Sequence, residues 1–183
     1  MRKFSVLVGV FIVAMAGTAA AQAGAAHPGY YPVEEMGIFA KGDLEVDVNL
    51  SGAMLQVAAG AMENQDESLG ELVANLERVR VQVGTPSDVD ASKVARTIAD
   101  AQAKLGSAGW QKILSLEETD EQVSLFALES GDRIAGLTAF VYDVGEEVVV
   151  VNIVGDIDPR TLGRLLANIK EVDLDELMEA VEQ

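Results

Sequence analysis

The stretch "VVVVNIVGDIDPRTLGRLL", Val148 to Leu166, sets Asp156 and Asp158 in a short turn between a run of apolar β-formers and a second apolar pattern. Two carboxylates at this spacing can open a divalent-cation loop or supply an acid–base pair. Counted as a calcium loop from Asp156, the stretch puts Arg160 fifth, Thr161 where glycine is required, and Ala167 where a bidentate glutamate is required. The stretches "DESLGE" from Asp66 and "DVDASK" from Asp88 lack the sixth-position glycine too. Helix capping accounts for the turn without any chemistry. Asp158 can accept from the free N–H groups of a helix start and meet its positive dipole end, Pro159 suits the first helical position, and Asp156 supports the turn after Gly155.

Other reaction groups are scarce. The only histidine is His27, near the start of the chain, so neither a Ser-His-Asp triad nor a multi-histidine zinc site can be assembled within the domain. There is no cysteine, hence no disulfide, thiolate metal site or nucleophilic thiol. No phosphate-cradling G-x-x-x-x-G-K-[ST] occurs, and no G-x-G-x-x-G follows a strand. With 30 acidic residues, neighbouring carboxylates are expected by chance and are weak evidence for glycosidase-type chemistry. No catalytic residue, metal ligand or cofactor is therefore assigned.

Residues 1–23 read as an export signal. Arg2 and Lys3 precede the apolar core Phe4 to Ala16, and small residues in A-x-A spacing follow, with cleavage expected after Ala21 or Ala23. No later run reaches the roughly 20 apolar residues of a membrane-spanning helix. An exported, periplasmic product is expected, with an extracellular one as the alternative. The whole chain carries a net charge of −17; without Arg2 and Lys3 it holds 11 basic residues against 30 acidic ones, about −19. Such a surface repels phosphate backbones and anionic lipid head groups, which argues against nucleic-acid or peripheral membrane binding.

The elements that must position any site follow from periodicity. Residues 24–43, with Pro28 and Pro32 beside Tyr30 and Tyr31, have no period and read as an extended leader whose aromatics can dock on the core. "LEVDVNL" alternates as a strand does, and Ser51 can cap the helix that carries Met54, Leu55, Ala58 and Met62. A second helix, through Leu69, Leu72, Val73 and Leu76, runs into the strand "RVRVQV". Asp90 can cap a helix through Val94, Ile98 and Leu105, ending near Gly106 or Gly109. "WQKILSL", "QVSLFALE", "RIAGLTAFVYD" and "EEVVVVNIV" then read as a four-strand meander, the last strand central or covered on both faces. Stripes at Leu162, Leu165, Leu166 and Ile169 and at Leu174, Leu177, Met178 and Val181 predict two closing helices, the second capped by Asp173 with Glu176. The expected fold is a single α+β domain over residues 44–183: one mixed, mostly antiparallel sheet of five or six strands with helices mainly on one face.

Two features remain as binding candidates. Trp110, Phe126, Phe140 and Tyr142 are expected in the core; if they share an uncovered face, Trp110 and Tyr142 could line a groove for a peptide or apolar ligand. Arg78 and Arg80 share one face of a strand and are expected to be solvated, the alternative being a forked carboxylate-binding pair.

The segments "VVVNIVGDIDPRTLGRLL", "SGDRIAGLTAFVYD", "WQKILSLEETDEQVSLFALE", "VDVNLSGAMLQVA" and "LVANLERVRVQV" together resemble the family of exported bacterial proteins catalogued as domain of unknown function 4252, from about Leu44 to Ile169. The resemblance implies a signal-bearing α+β domain and brings no catalytic residues to carry over. Members of that family are often encoded beside extracytoplasmic-function sigma factors and their membrane-bound regulators, so the resemblance implies a sensing or accessory role in the envelope.

The leading expectation is a non-enzymatic envelope protein that binds a protein partner. A carrier of a small apolar ligand or lipid is the alternative, and a carboxylate-based hydrolase ranks third. A binding module should expose an apolar patch, a carrier should enclose an apolar cavity, and a hydrolase should hold two carboxylates in one cleft with a raised pKa.

Overall fold

The computed structural model describes residues 27–40, 42–63, 67–86, 91–119 and 121–163. The signal segment, Asp66, Asp88, Asp90, the stripe positions beyond Leu162 and the Asp173–Glu176 pair lie outside them. The strands are β1 (Leu44–Ser51), β2 (Leu76–Gly84), β3 (Gln111–Glu117), β4 (Glu121–Ser130), β5 (Arg133–Asp143) and β6 (Val148–Ile157). They form one sheet in the order β1-β2-β6-β5-β4-β3. Every neighbouring pair is antiparallel, so the sheet is not mixed. Hairpin turns join β3 to β6 in sequence, and β6 then closes back on β2. Its near-continuous apolar run fits that central position, because both of its faces are buried.

Three α-helices are described, α1 (Ala53–Glu63), α2 (Glu67–Ala74) and α3 (Ala91–Ser107), besides the helical residues 159–163. Helices α1 and α2, with Leu162 of the helical residues after β6, pack on one face and α3 alone on the other, so the described helices lie mainly on one face. Alternation along β6 turns Val149 toward a cluster with Val79, Val81 and Val83 of β2, Leu55 of α1 and Leu72 and Val73 of α2. It turns Val148 and Val150 the other way, into a cluster with Val94, Ile98, Ala101 and Leu105 of α3 and the aromatics of the meander. Among the described residues no helix is long and apolar enough to cross a membrane.

Local details depart from periodicity for physical reasons. Helix α2 stops at Ala74, and Leu76 already belongs to β2, because Asn75 turns the chain with its N–H donating to Leu72 O at 3.1 Å. Ser51 is the last residue of β1, opposite Arg78, and α1 begins after Gly52, whose φ is +53°. Strand β6 does not turn at Gly155. It runs on to Ile157, the Asp156 N–H donating to Asn75 O at 3.0 Å.

The segment before β1 is not an extended arm. It makes a 3-10 turn at Val33–Glu35, and Val33 and Ile38 enter the α3-side core. Its anchor is Asn152 on β6, fully buried. The Asn152 amide donates to Gly29 O (3.1 Å), Leu137 O (3.2 Å) and Thr138 Oγ1 (3.0 Å) and accepts from the Tyr31 N–H (3.2 Å). Backbone meets backbone here: a Cβ on Gly136 would lie 2.5 Å from Gly29 Cα, so both positions require glycine.

Candidate functional site

The acidic turn Asp156–Asp158 is held by the protein's own groups. Residues 159–163 are helical. The Arg160 N–H donates to Asp158 Oδ1 at 2.8 Å and the Leu162 N–H to the Asp158 carbonyl at 3.1 Å, so Asp158 is the cap and Pro159 the first helical residue. Asp156 accepts from Arg133, 2.8 Å at its side chain and 3.0 Å at its carbonyl, and Arg133 Nη1 lies 3.5 Å from Asp158. Arginine between two aspartates ties the end of β6 to the start of β5. A cation is not required to explain either carboxylate.

The arginine pair is not a solvated face. Arg80 is 9% exposed, pairs with the Asp47 carboxylate of β1 and donates to Val48 O at 3.1 Å. Arg78 lies beneath the N-terminal segment, 4.8 Å from the centre of the Tyr30 ring and 3.4 Å from Glu34 Oε1, which also accepts from the Tyr30 hydroxyl at 2.8 Å. Burial first, and the Glu34 hydrogen bond second, raise the Tyr30 pKa. Both guanidinium groups are engaged by the protein itself, Arg78 by the segment before β1 and Arg80 by strand β1. His27 accepts from the Gly29 N–H at 3.1 Å and sits 3.6 Å from Glu77.

The aromatics line no groove. Trp110 and Tyr142 are buried, the Tyr142 hydroxyl donates to Ala91 O at 3.1 Å, and Phe126 meets Phe140 edge to face at 6.4 Å. They share the face that α3 covers, so they fill the core.

An apolar cavity of about 70 Å³ lies between α1 and the β1–β2 edge, lined by residues such as Val48, Leu50, Leu55, Met62, Val79 and Val81. Small-molecule pockets commonly enclose about 300–1,000 Å³. This one is far below that range and opens to solvent beside the exposed Met54 and Val57.

Two carboxylates titrate high, at one end of the sheet. Burial first, then Glu118 and Asp143, raise Glu121; burial first, then Glu45 and Asp143, raise Glu147. Glu121 lies opposite Asp143 in the β4–β5 ladder, and its Oε1 is buried without a hydrogen-bond partner among the described residues. Desolvation and like charge set both shifts. Among the described residues no group of three histidine or carboxylate side chains is placed to hold a metal ion.

The feature that periodicity did not single out is β3. It ends the sheet, and all seven of its residues are exposed, including Ile113 (47%), Leu114 (49%) and Leu116 (39%). Its position is fixed from both ends. Helix α3 closes with Gly109 at φ +89°, the Trp110 N–H donating to Leu105 O at 3.1 Å and the Gly109 N–H to Gly106 O at 3.2 Å, a Schellman closure that turns Trp110 into the core. At the other end the Glu118 N–H donates to Glu121 O at 2.8 Å. In between, Lys112 pairs with Phe126 and Leu114 with Leu125, leaving Ile113 as the extra residue of a β-bulge. Beyond the bulge, Leu114 and Leu116 lie beside Leu125 and Val123. The opposite edge differs: β1 exposes Glu45, Asp47 and Asn49 and half-buries Leu44, Val46 and Val48. Charged residues blunt β1 against pairing; β3 carries Lys112 and the Ile113 bulge near its start, but from Leu114 on it pairs outward with no described strand and is flanked by apolar side chains. The adjacent Ile113 and Leu114, which break strict alternation, mark the bulge but not the edge position.

A family model described as Domain of unknown function (DUF4252) matches residues 40–165, which takes in all six strands. No curated protein and no solved structure is matched.

Proposed function

This chain belongs to the family described as Domain of unknown function (DUF4252), and on that premise we propose that it is an exported, non-enzymatic envelope protein that binds a protein partner along β3. The observation that supports this reading is the exposure of Ile113, Leu114 and Leu116 on an edge strand whose outer side pairs with no described strand. Natural edge strands are normally shortened, charged or covered, because a free edge invites another strand. An apolar edge with no described partner strand, on a chain of net charge −17, is suited to capture, since the surrounding charge limits indiscriminate association.

Export rests on the basic start, apolar core and small-residue site of residues 1–23. The family resemblance makes envelope signalling proteins the first candidates for the partner, with the chain as their accessory or sensing module. The 70 Å³ cavity favours this reading over lipid or ligand carriage.

The test is a crosslinked pull-down from the envelope of the native host with wild-type bait and with a Leu114→Lys/Leu116→Lys bait of equal melting temperature. Enrichment of one protein by the wild type only is the expected result. Equal recovery by both baits removes β3 from the function.

A further inference from the structure

The chemistry surrounding β3 restricts what can dock there. On one face of the sheet Leu114 and Leu116 continue the apolar rows of Leu125 and Val123. A strand added outside β3 places every second side chain beside these leucines, so those side chains must be apolar. On the other face stand Lys112, Ser115 and Glu117, with Lys112 already donating to Gln102 Oε1 at 3.2 Å and lying 5.5 Å from the Phe126 ring centre.

Charge is distributed unevenly along the edge. Its far end is the β3–β4 turn, where Glu117 and Glu118 leave the strand and Glu121, opposite Asp143, begins the next. Among the described residues none of these four carboxylates takes part in a salt bridge. A docked strand therefore meets carboxylates without a described cationic partner at that end and apolar surface in the middle.

We infer that β3 accepts, by strand addition, an extended segment of another protein whose apolar residues alternate beside Leu114 and Leu116 and whose lysine or arginine residues face the Glu117–Glu121 turn. This inference rests on the protein-binding reading and specifies its partner. Backbone pairing along the free edge supplies affinity, the alternating side chains set register, and the basic residues set direction. A second copy of the chain is the less favoured occupant, since it brings another net charge of −17 to the contact.

The probe is a synthetic peptide of about nine residues in which leucine and valine alternate with threonine and two lysines stand at one end. It is compared with a peptide carrying glutamates in place of the lysines and with one carrying a central proline, which removes a ladder donor. Binding to the full-length chain is read by fluorescence anisotropy and by amide exchange across residues 111–117. The lysine peptide should bind, protect those amides and weaken as salt rises. Binding should fall by about tenfold or more, about 1.4 kcal/mol, with the glutamate peptide, with the proline peptide, and on Leu114→Lys/Leu116→Lys. A Glu117→Gln/Glu118→Gln/Glu121→Gln chain should lose the salt dependence.

Equal binding of lysine and glutamate peptides, undiminished binding of the proline peptide, or no binding of any of them overturns the inference. So does sedimentation of the wild-type chain as a dimer that Leu114→Lys/Leu116→Lys dissolves, which would make a second copy the occupant. If the peptides fail while the lysine variant still loses its envelope partner, the partner chemistry is wrong and the protein-binding reading stands. If that variant keeps its partner, both fall.

Discussion

The backbone N–H of Trp110 donates to the carbonyl of Leu105 at 3.1 Å, and this bond ends helix α3 so that Trp110 is buried while the seven residues after it are exposed. The helix terminus thus fixes where the edge strand begins. Anchor and edge are adjacent in sequence and opposite in burial.

That adjacency makes a clean pair of mutations. Trp110→Ala removes a core aromatic and should cost about 3–5 kcal/mol, read from urea unfolding. Leu116→Lys, on the exposed strand, should change stability by no more than about 0.5 kcal/mol. Comparable losses at both positions would mean that β3 is packed and not free.

Asn152 is expected to hold the N-terminal segment. Asn152→Leu leaves the Gly29 carbonyl and the Tyr31 N–H without this partner, at about 1–3 kcal/mol for each buried group left unpaired. Faster amide exchange and proteolysis should appear first around residues 29–33. A uniform change across the sheet would show that Asn152 supports the whole domain instead.

The helix start after β6 gives a graded test. Asp158→Ala should cost about 1 kcal/mol through loss of the cap. Asp158→Asn keeps an acceptor for the Arg160 N–H while losing only its charge near Arg133, which also holds Asp156. Thermal melting should place the asparagine variant close to wild type, and equal losses would point to the ion pair.

The pH dependence has a definite sign for two groups. Burial, followed by neighbouring carboxylates, raises the pKa of Glu121 and Glu147 above 4.5 in the folded state. The folded protein therefore binds these protons more tightly than the unfolded chain, and their contribution to stability declines as pH rises from 4.5 through the raised values. Glu121→Gln and Glu147→Gln should melt higher than wild type at about pH 7 and vary less with pH over this window. Variants that melt lower at neutral pH would reverse the assignment.

Much of the framework was legible in sequence. Period-two alternation located β1, Gly and Asp turns located the β3–β6 meander, and the apolar run of β6 indicated its central place. That α3 covers the face opposite α1 and α2 is not legible, because each stripe marks a buried side without saying which side of the sheet receives it. The N-terminal segment was hidden for a related reason: Asn152 and Gly29 are 123 positions apart, and a hydrogen bond between them leaves no period. Arg78 and Arg80 look solvated in sequence because alternation shows neither the segment that crosses above Arg78 nor the β1 carboxylate that pairs with Arg80. The apolar edge was missed because "WQKILSL" has the composition of a core strand; only the sheet order makes it an edge.

The measurement that bears most directly on the account is site-specific photo-crosslinking in the envelope of the native host. A crosslinking amino acid is placed at position 116 on β3 and, as a control, at position 57, where Val57 of α1 is 53% exposed. The account predicts one discrete adduct from position 116, abolished by Leu114→Lys, and none from position 57. No adduct at 116, or the same adduct from both positions, would contradict it.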